Sequence, residues 1–210
     1  MRELHDFHRS SSAHRVRIAL NLKGLDYRAI PVALINGEHL EADYRALNPQ
    51  SLVPVYGDSD VMLSQSLAII EYLDETHPTP PLLPSEPVTR ARARQLALVI
   101  VADMQPLMAL RVMTYLRDAC RSDVAARRRW FQHWMLEGLD ALELWLTAAA
   151  RATRYCVADH PTLADVCLVP QLEVARRGGI DIEEFPRLAK VEQHCLALPA
   201  FLDARPSQRG

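Results

Sequence analysis

A proline-rich segment, HPTPPLLPSEP from His77 to Pro87, is the feature that most limits what this chain can fold into. It holds five prolines in eleven residues. Proline lacks an amide hydrogen and fixes φ, so neither a regular helix nor a central strand can pass through such a run. The segment predicts a stiff connector between two domains. We expect a first domain over residues 1–80, a linker over 81–87 and a second domain over 88–210.

Before the connector, short extended runs alternate with helical patterns. Extended runs lie at residues 3–8, 27–32, 53–57 and 61–64, and the last two are joined by turn residues as in a hairpin. Helical patterns lie at 14–23, 40–49 and 65–76. The predicted order is therefore β-α-β-α-β-β-α. The first two strands should be parallel because a helix joins them, and the last two should be antiparallel.

After the connector, every segment has a helical pattern. Long helices are predicted at 90–116, with a kink at Pro106, and at 124–150. Thr162 followed by Asp165 is a capping signature for a third helix, which Gly178 and Gly179 should end. A last helix is predicted at 187–196. The fold class is thus an α/β domain followed by an all-helical domain.

Composition excludes several kinds of partner. The formal net charge is -2, which argues against nucleic acid or an anionic membrane as the main partner. The longest strongly apolar run, residues 96–102, is too short to span a bilayer. The first twenty residues contain no apolar segment of the kind found in secretory signals. The four cysteines show no metal-type spacing. We expect free thiols, a cytoplasmic location and no bound metal.

Three consecutive serines, Ser10, Ser11 and Ser12, stand immediately before the predicted first helix. A helix N-terminus presents unpaired amides and the positive end of the helix dipole, and serine hydroxyls can add further donors to an anion held there. The alternative is simple capping of the helix, for which serine is a preferred residue. Capping needs only one serine, and the local sequence leaves both interpretations open.

Two further elements in the first domain, a strand and the helix after it, should also present backbone groups to a ligand. Val53-Pro54 should begin a strand, where a cis bond would leave the amide and carbonyl of Val53 available to a ligand. Gln65 and Ser66 open the helix that follows, so this helix also directs its first amides outward. A peptide could pair its backbone with Val53 and place a carboxylate on Ser66. A turn proline and another cap are the alternative.

Taken together, these motifs resemble the glutathione transferase family, and within it the zeta class of maleylacetoacetate and maleylpyruvate isomerases. The resemblance covers nearly the whole chain, and the stretches that carry it are RSSSAHRVRIALNLKG, RALNPQSLVP, LSQSLAIIEYLDETHPTPPLLP, YCVADHPTLADVCLVPQ and the Arg176-Arg177 stretch followed by GGIDI. It implies a thioredoxin-like first domain that binds glutathione, an all-helical second domain, and a homodimer.

The resemblance also implies roles for individual residues. The thiolate of glutathione would be stabilised by Ser10, with Ser11 and Ser12 as neighbours that could share the task. Glutathione itself would be bound by residues from both domains: Val53, Pro54, Gln65, Ser66 and Gln105. The carboxylates of a small dicarboxylate substrate would be bound by arginines: Arg9, Arg111 and one of Arg176 and Arg177, of which we choose Arg177.

Two features depart from the family pattern. Ser12-Ala13 stands where many relatives have Cys-Ser, so a side reaction through cysteine is not expected. His8 stands where an aromatic residue is common, and so does His5. These histidines affect either the edge of the substrate site or the first strand.

The reaction that the resemblance implies is a glutathione-dependent cis–trans isomerisation, with maleylacetoacetate as substrate and fumarylacetoacetate as product. Maleylpyruvate is the close alternative, because the two substrates differ only beyond the keto group. A general transferase that conjugates glutathione to electrophiles is a second class of function. A non-catalytic interaction protein is a third, against which Ser10, Gln65 and Ser66 argue.

Overall fold

The computed structural model describes residues 1–149 and 153–206. It forms two compact units. The first consists of Met1–Leu83 together with the described residues from Leu196 onward, and the second is Pro84–Cys195. The sequence-based boundaries at residues 80 and 88 stay a prediction. They assign the C-terminal residues to the helical domain, whereas the structure groups those residues with the first unit.

The first unit is built on a four-stranded mixed sheet. Its strands are β1 (Glu3–Asp6), β2 (Arg28–Pro31), β3 (Val55–Asp58) and β4 (Val61–Ser64), in the order β2-β1-β3-β4. Strands β1 and β2 are parallel, and the other two pairs are antiparallel. The predicted parallel pairing of β1 with β2 and the predicted antiparallel pairing of β3 with β4 are therefore confirmed.

Three helices alternate with these strands: α1 (Ser11–Leu22), α2 (Ala42–Leu47) and α3 (Ser66–Thr76). The predicted order of elements is confirmed, but α1 begins three residues before the predicted His14. Ser11 and Ser12 therefore lie inside the first turn of α1, and only Ser10 precedes the helix. The apolar pattern could not reveal this start, because the side chain of Ser10 determines it.

The apolar pattern of residues 65–76 predicts that the acidic residues of α3, Asp74 among them, face solvent, and for Asp74 this prediction is wrong. The Nζ of Lys23, which is buried, donates to a carboxylate oxygen of Asp74 over 2.6 Å and to the carbonyl of Pro80 over 2.5 Å. The same carboxylate accepts the amides of Leu82 and Leu83. The first half of the proline-rich connector is therefore fastened to α3 by a buried ion pair.

The second unit contains α4 (Pro87–Leu98), α5 (Leu110–Asp118), α6 (Val124–Thr147), α7 (Leu163–Arg177) and α8 (Pro186–Leu196); a short helix α9 (Pro199–Leu202) returns to the first unit. The single helix predicted over 90–116 is wrong. A π-helical segment, Val99–Met104, and a 3₁₀ turn, Gln105–Met108, interrupt it, and Ala109 is extended at φ -62°, ψ 148°. Pro106 has no amide to continue the α-helical pattern. The helix predicted over 124–150 is too long, because α6 ends at Thr147 with Ala148 as its C-cap; residue 150 itself lies outside the described residues.

The stretch Pro87–Asp118 is apolar and long enough to cross a membrane if it formed one continuous helix. The sequence-based estimate considered only residues 96–102. Because the backbone is broken at Ala109, the stretch is not one continuous helix, and its composition is weak evidence for a membrane span.

Both ends of α7 follow the predicted signals. The amide and hydroxyl of Thr162 donate to Asp165 over 2.8 Å each. At the other end, Gly179 has a φ of 82° and the amide of Ile180 donates to Ala175, which is the hydrogen bond of a Schellman cap. Glycine at 179 supplies a backbone angle that other residues rarely adopt.

Candidate functional site

Three of the predicted site segments emerge at one edge of the sheet. His5 pairs with Val55 and Val55 with Ser64, so the end of β1, the start of β3 and the end of β4 lie side by side. Ser10 follows β1, Val53 precedes β3 and Ser66 follows β4. The topology therefore places these three predicted ligand contacts at the same edge of the first unit.

Ser10 caps α1, and this does not conflict with a role in binding a thiolate. Its hydroxyl oxygen accepts the amide of Ala13 over 3.2 Å. A hydroxyl has one proton and two lone pairs, so capping leaves its proton free to donate. The amides of Ser11 and Ser12 have no acceptor within the described residues. The start of α1 therefore offers one hydroxyl proton and two amides to an anion.

The prediction that Val53-Pro54 begins a strand is wrong, because Val53 lies in a bend and β3 begins at Val55; the Val53-Pro54 bond is cis. Within residues 1–149 and 153–206, neither the amide nor the carbonyl of Val53 forms a hydrogen bond. One donor and one acceptor on the same residue match the pairing pattern of an extended peptide.

The start of α3 is a second helix terminus with unpaired amides. Gln65 is the N-cap residue, but no side chain caps the helix, so the amides of Ser66, Leu67 and Ala68 have no acceptor within the described part of the chain. Gln65 has φ 72°, an unusual angle for a residue other than glycine. Such a backbone conformation is typical of functional sites.

Residues that the sequence analysis missed hold the loop before Val53. The hydroxyl of Tyr44 and the side-chain amide of Asn48 both donate to the carbonyl of Leu52, each over 2.8 Å. Asn48 also accepts the amide of Gln50. Burial raises the pKa of Tyr44 to about 12, so its hydroxyl remains a donor. The Asn-Pro pair at 48 is a turn signal that could have pointed to this loop.

Two more missed residues belong to this unit. The side chain of Gln65 donates to Gln50 over 2.6 Å. Gln50 therefore orients Gln65, which is predicted to bind glutathione. His39 is half-buried, and its Nδ1 is buried with no hydrogen-bond partner within the described residues. Burial is the main reason that the pKa of His39 is lowered. No motif in the sequence distinguishes either residue.

The remaining predicted residues lie on exposed or half-buried positions. Arg9 is exposed beside Ser10 in the first unit. Gln105 opens the 3₁₀ turn of the second unit, and Arg111 is exposed on α5. The prediction that Gln105 and Arg111 share one helix is wrong, because the break at Ala109 separates them.

Arg176 and Arg177 differ in their surroundings. Nη1 and Nη2 of Arg176 both donate to the carboxylate of Glu192, which is buried; the Nη1–Oε1 distance is 2.5 Å. This two-pronged ion pair gives Arg176 a structural role. Arg177, also exposed, is the last residue of α7. The choice of Arg177 as the substrate-binding residue stays a prediction.

Comparison with known proteins identifies the family. Residues 4–81 match the family model of the glutathione S-transferase N-terminal domain, and residues 132–199 match that of the C-terminal domain. The chain is 44% identical to maleylacetoacetate isomerase of Pseudomonas aeruginosa, over 99% of this chain and 97% of that protein. The chain belongs to the glutathione S-transferase family.

Two solved structures extend this likeness to the fold of this glutathione S-transferase. A holo maleylpyruvate isomerase, described as a bacterial zeta-class enzyme, has a TM-score of 0.95 and 44% identity over 97% of this chain and 96% of its own. Maleylacetoacetate isomerase from Methylobacterium extorquens, solved with malonate and glutathione, has a TM-score of 0.95 and 38% identity over 99% and 98%. The resemblance to the zeta class and the predicted fold class are confirmed.

Proposed function

We propose that this zeta-class transferase is a glutathione-dependent cis–trans isomerase that converts maleylacetoacetate to fumarylacetoacetate. The observation that carries the proposal is its full-length similarity to proteins named as maleylacetoacetate and maleylpyruvate isomerases. The polar groups of Ser10, Val53 and the start of α3 support it, because they match the groups of glutathione.

Glutathione fits the donors and acceptors of the first unit. It is a tripeptide with a thiol, a backbone segment and a γ-glutamyl carboxylate. The unpaired amide and carbonyl of Val53 suit its backbone, and the uncapped start of α3 suits a carboxylate. The hydroxyl proton of Ser10 suits the sulfur. In this proposal, Gln65 and Ser66 bind the γ-glutamyl end, and Gln105 is a further contact.

The protein's part in the reaction is to ionise a thiol and to bind a dianion. When bound, glutathione supplies a thiolate that adds to the cis double bond and leaves after rotation. An ordinary thiol with a pKa of about 8.5 is mostly protonated at neutral pH. The hydroxyl of Ser10 and the amides of Ser11 and Ser12 favour the ionised form, since each donates toward a negative charge.

The substrate carries carboxylates, for which arginine is suited because its planar fork binds two oxygens at once. Arg9, Arg111 and Arg177 are the arginines that we assign to this role. A positively charged site would also stabilise the negative charge that develops on the substrate beside its keto group.

Maleylpyruvate is the second candidate substrate. The chain has 44% identity both to a maleylacetoacetate isomerase and to a structure of a maleylpyruvate isomerase. Equal similarity gives no preference between substrates that share the same maleyl group.

The experiment mixes the purified protein with each substrate, with and without glutathione, and follows the loss of the cis isomer together with the concentration of free thiol. We expect isomerisation that requires glutathione and consumes no thiol. S-Methylglutathione is the control, because it has no ionisable thiol and should not support turnover.

Other outcomes would contradict the proposal. Steady loss of thiol with an electrophile and no isomerisation would make the protein a conjugating transferase. Absence of both turnover and glutathione binding would leave an interaction protein. Isomerisation of only one substrate would decide between the two candidates.

The family also supports a homodimer in the cytoplasm, with a small dicarboxylate as the substrate. Light scattering of the purified chain should give twice the mass of 23.7 kDa. A monomer at micromolar concentration would contradict this part of the proposal.

A further inference from the structure

Ser66, the predicted carboxylate ligand at the start of α3, receives a hydrogen bond from a buried arginine. Nη1 of Arg15 on α1 donates to the hydroxyl oxygen of Ser66 over 3.3 Å. Arg15 is fully buried and Ser66 is 4% exposed. These residues are 51 positions apart in the chain, so the contact depends on the packing of α1 against α3 within the first unit.

This contact restricts where the hydroxyl proton of Ser66 can point. An arginine has only donors, so Ser66 must accept from it with one of its two lone pairs. The proton of Ser66 is then directed away from Arg15, and no acceptor for it exists within the described residues. A hydroxyl this deeply buried would normally donate to a partner. Its proton is therefore available beside the uncapped amides of α3.

We propose that Arg15 is a positioning residue, which acts through Ser66 to orient the hydroxyl proton toward the γ-glutamyl carboxylate of glutathione. The inference rests on the proposed function, because it assumes that glutathione is the ligand. Arg15 does not touch the ligand in this account. Its contribution is to remove the alternative orientations of the hydroxyl before the carboxylate binds, which reduces the entropic cost of binding.

Arg17 provides a matched control on the same helix. It is 7% exposed, and it donates hydrogen bonds to Asp6 and to the carbonyls of His8 and Ala204, none of them to Ser66. Arg15→Lys and Arg17→Lys each keep a positive charge and remove a buried guanidinium. Only the first should affect carboxylate binding.

The test measures, by calorimetry, the affinity of the full-length protein for glutathione and for an analogue without the α-carboxylate, γ-aminobutyryl-cysteinylglycine. Wild type should prefer glutathione. Arg15→Lys should reduce this preference by roughly tenfold, which is the size expected from weakening one hydrogen bond to a charged group. Affinity for the analogue should stay within about twofold, and Arg17→Lys should leave the preference unchanged.

The role of Ser66 gives a second, independent test. Ser66→Ala should reduce the preference at least as much as Arg15→Lys, and adding Arg15→Lys to Ser66→Ala should have no further effect. Ser66→Ala also keeps the inference testable if Arg15→Lys does not fold, because an unchanged preference in Ser66→Ala alone would overturn it. The inference would also be overturned if Arg15→Lys weakened the binding of glutathione and of the analogue equally. It would be overturned too if Arg15→Lys still reduced the preference in the Ser66→Ala background.

The inference and the proposed function fail in different ways. Wild type that binds glutathione and shows the expected changes in preference, but does not isomerise either maleyl substrate, would support the inference and refute the function. Wild type that does not bind glutathione would refute both.

Discussion

Ser10 combines an observed role as the cap of α1 with a proposed role at the sulfur of glutathione, and substitution can separate the two. Its hydroxyl oxygen caps α1 by accepting the amide of Ala13, and its proton is assigned to the sulfur of glutathione. Ser10→Ala removes both functions. Ser10→Gly removes the hydroxyl too, but glycine at an N-cap costs a helix only a few tenths of a kcal/mol. The two variants should therefore differ in stability and agree in their effect on the thiol.

The sizes of the two effects follow from the geometry. The capping distance of 3.2 Å is at the long end of the range for such hydrogen bonds. Ser10→Ala should thus lower the free energy of unfolding by about 0.5–1 kcal/mol, the lower half of the usual range for a lost cap. A hydrogen bond to an ionised group contributes about 1.5–3 kcal/mol. Its loss should reduce the thiolate fraction roughly 10- to 150-fold at a pH below the pKa of the bound thiol.

Two measurements check these values. Urea unfolding gives the free energies of wild type, Ser10→Ala and Ser10→Gly. Ultraviolet absorbance of the thiolate, titrated against pH with glutathione bound, gives the pKa of the thiol in each protein. Ser11→Ala and Ser12→Ala are the matched controls. If Ser10→Gly leaves the thiol titration unchanged while Ser11→Ala or Ser12→Ala shifts it, the assignment to Ser10 is refuted and the role belongs to its neighbour.

Three further predictions concern other parts of the chain. A Cβ at Gly178 would lie 1.9 Å from Cε1 of Phe131, so Gly178→Ala should cost about 1–3 kcal/mol of unfolding free energy. Adding Phe131→Leu should restore part of this loss in urea unfolding; no recovery would contradict the clash. Burial lowers the pKa of His5 in the folded protein from its ordinary value of 6.5. As pH falls, His5 therefore takes up a proton in the unfolded chain before it does so in the folded protein. The free energy of unfolding should decrease from about pH 6.5 down to the pKa of His5 in the folded protein. Thermal unfolding of His5→Phe should depend less on pH, and an identical profile would be evidence against this account. Asn48→Ala should lower stability by about 1–3 kcal/mol and weaken glutathione binding in calorimetry, because the carbonyl of Leu52 loses a donor; unaltered binding would restrict Asn48 to a structural role.

The sequence predicted the features that depend on neighbours along the chain. Thr162 with Asp165 and Gly178 with Gly179 mark the two ends of α7, and local hydrogen bonds are sufficient to form both caps. The alternation of strands and helices before the connector was also readable, because the apolar period changes between elements. The predicted anion-binding residues lie at element ends for the same local reason.

Features that depend on distant contacts could not be predicted. The acidic pattern of α3 predicts that Asp74 is exposed, but Lys23, the residue that follows α1, binds it. The distortion of this helix is larger than the kink expected from Pro106, because a π-helical segment precedes the proline and Ala109, after it, is extended. The fastening of Leu52 by Tyr44 and Asn48 likewise brings together side chains whose pairing no local pattern specifies.

The two arginines of the R-V-R stretch in α1 illustrate this limit at the site itself. Positions i and i+2 of a helix do not share a face, so Arg15 and Arg17 must meet different parts of the unit. Arg17 donates to Asp6 at the end of β1 and to Ala204 near the C-terminus, which fixes the strand that leads to Ser10. Arg15 donates to Ser66 at the start of α3. Because one helix carries both contacts, the same packing of α1 sets the position of Ser10, the proposed thiolate donor, and the orientation of Ser66, the proposed carboxylate donor.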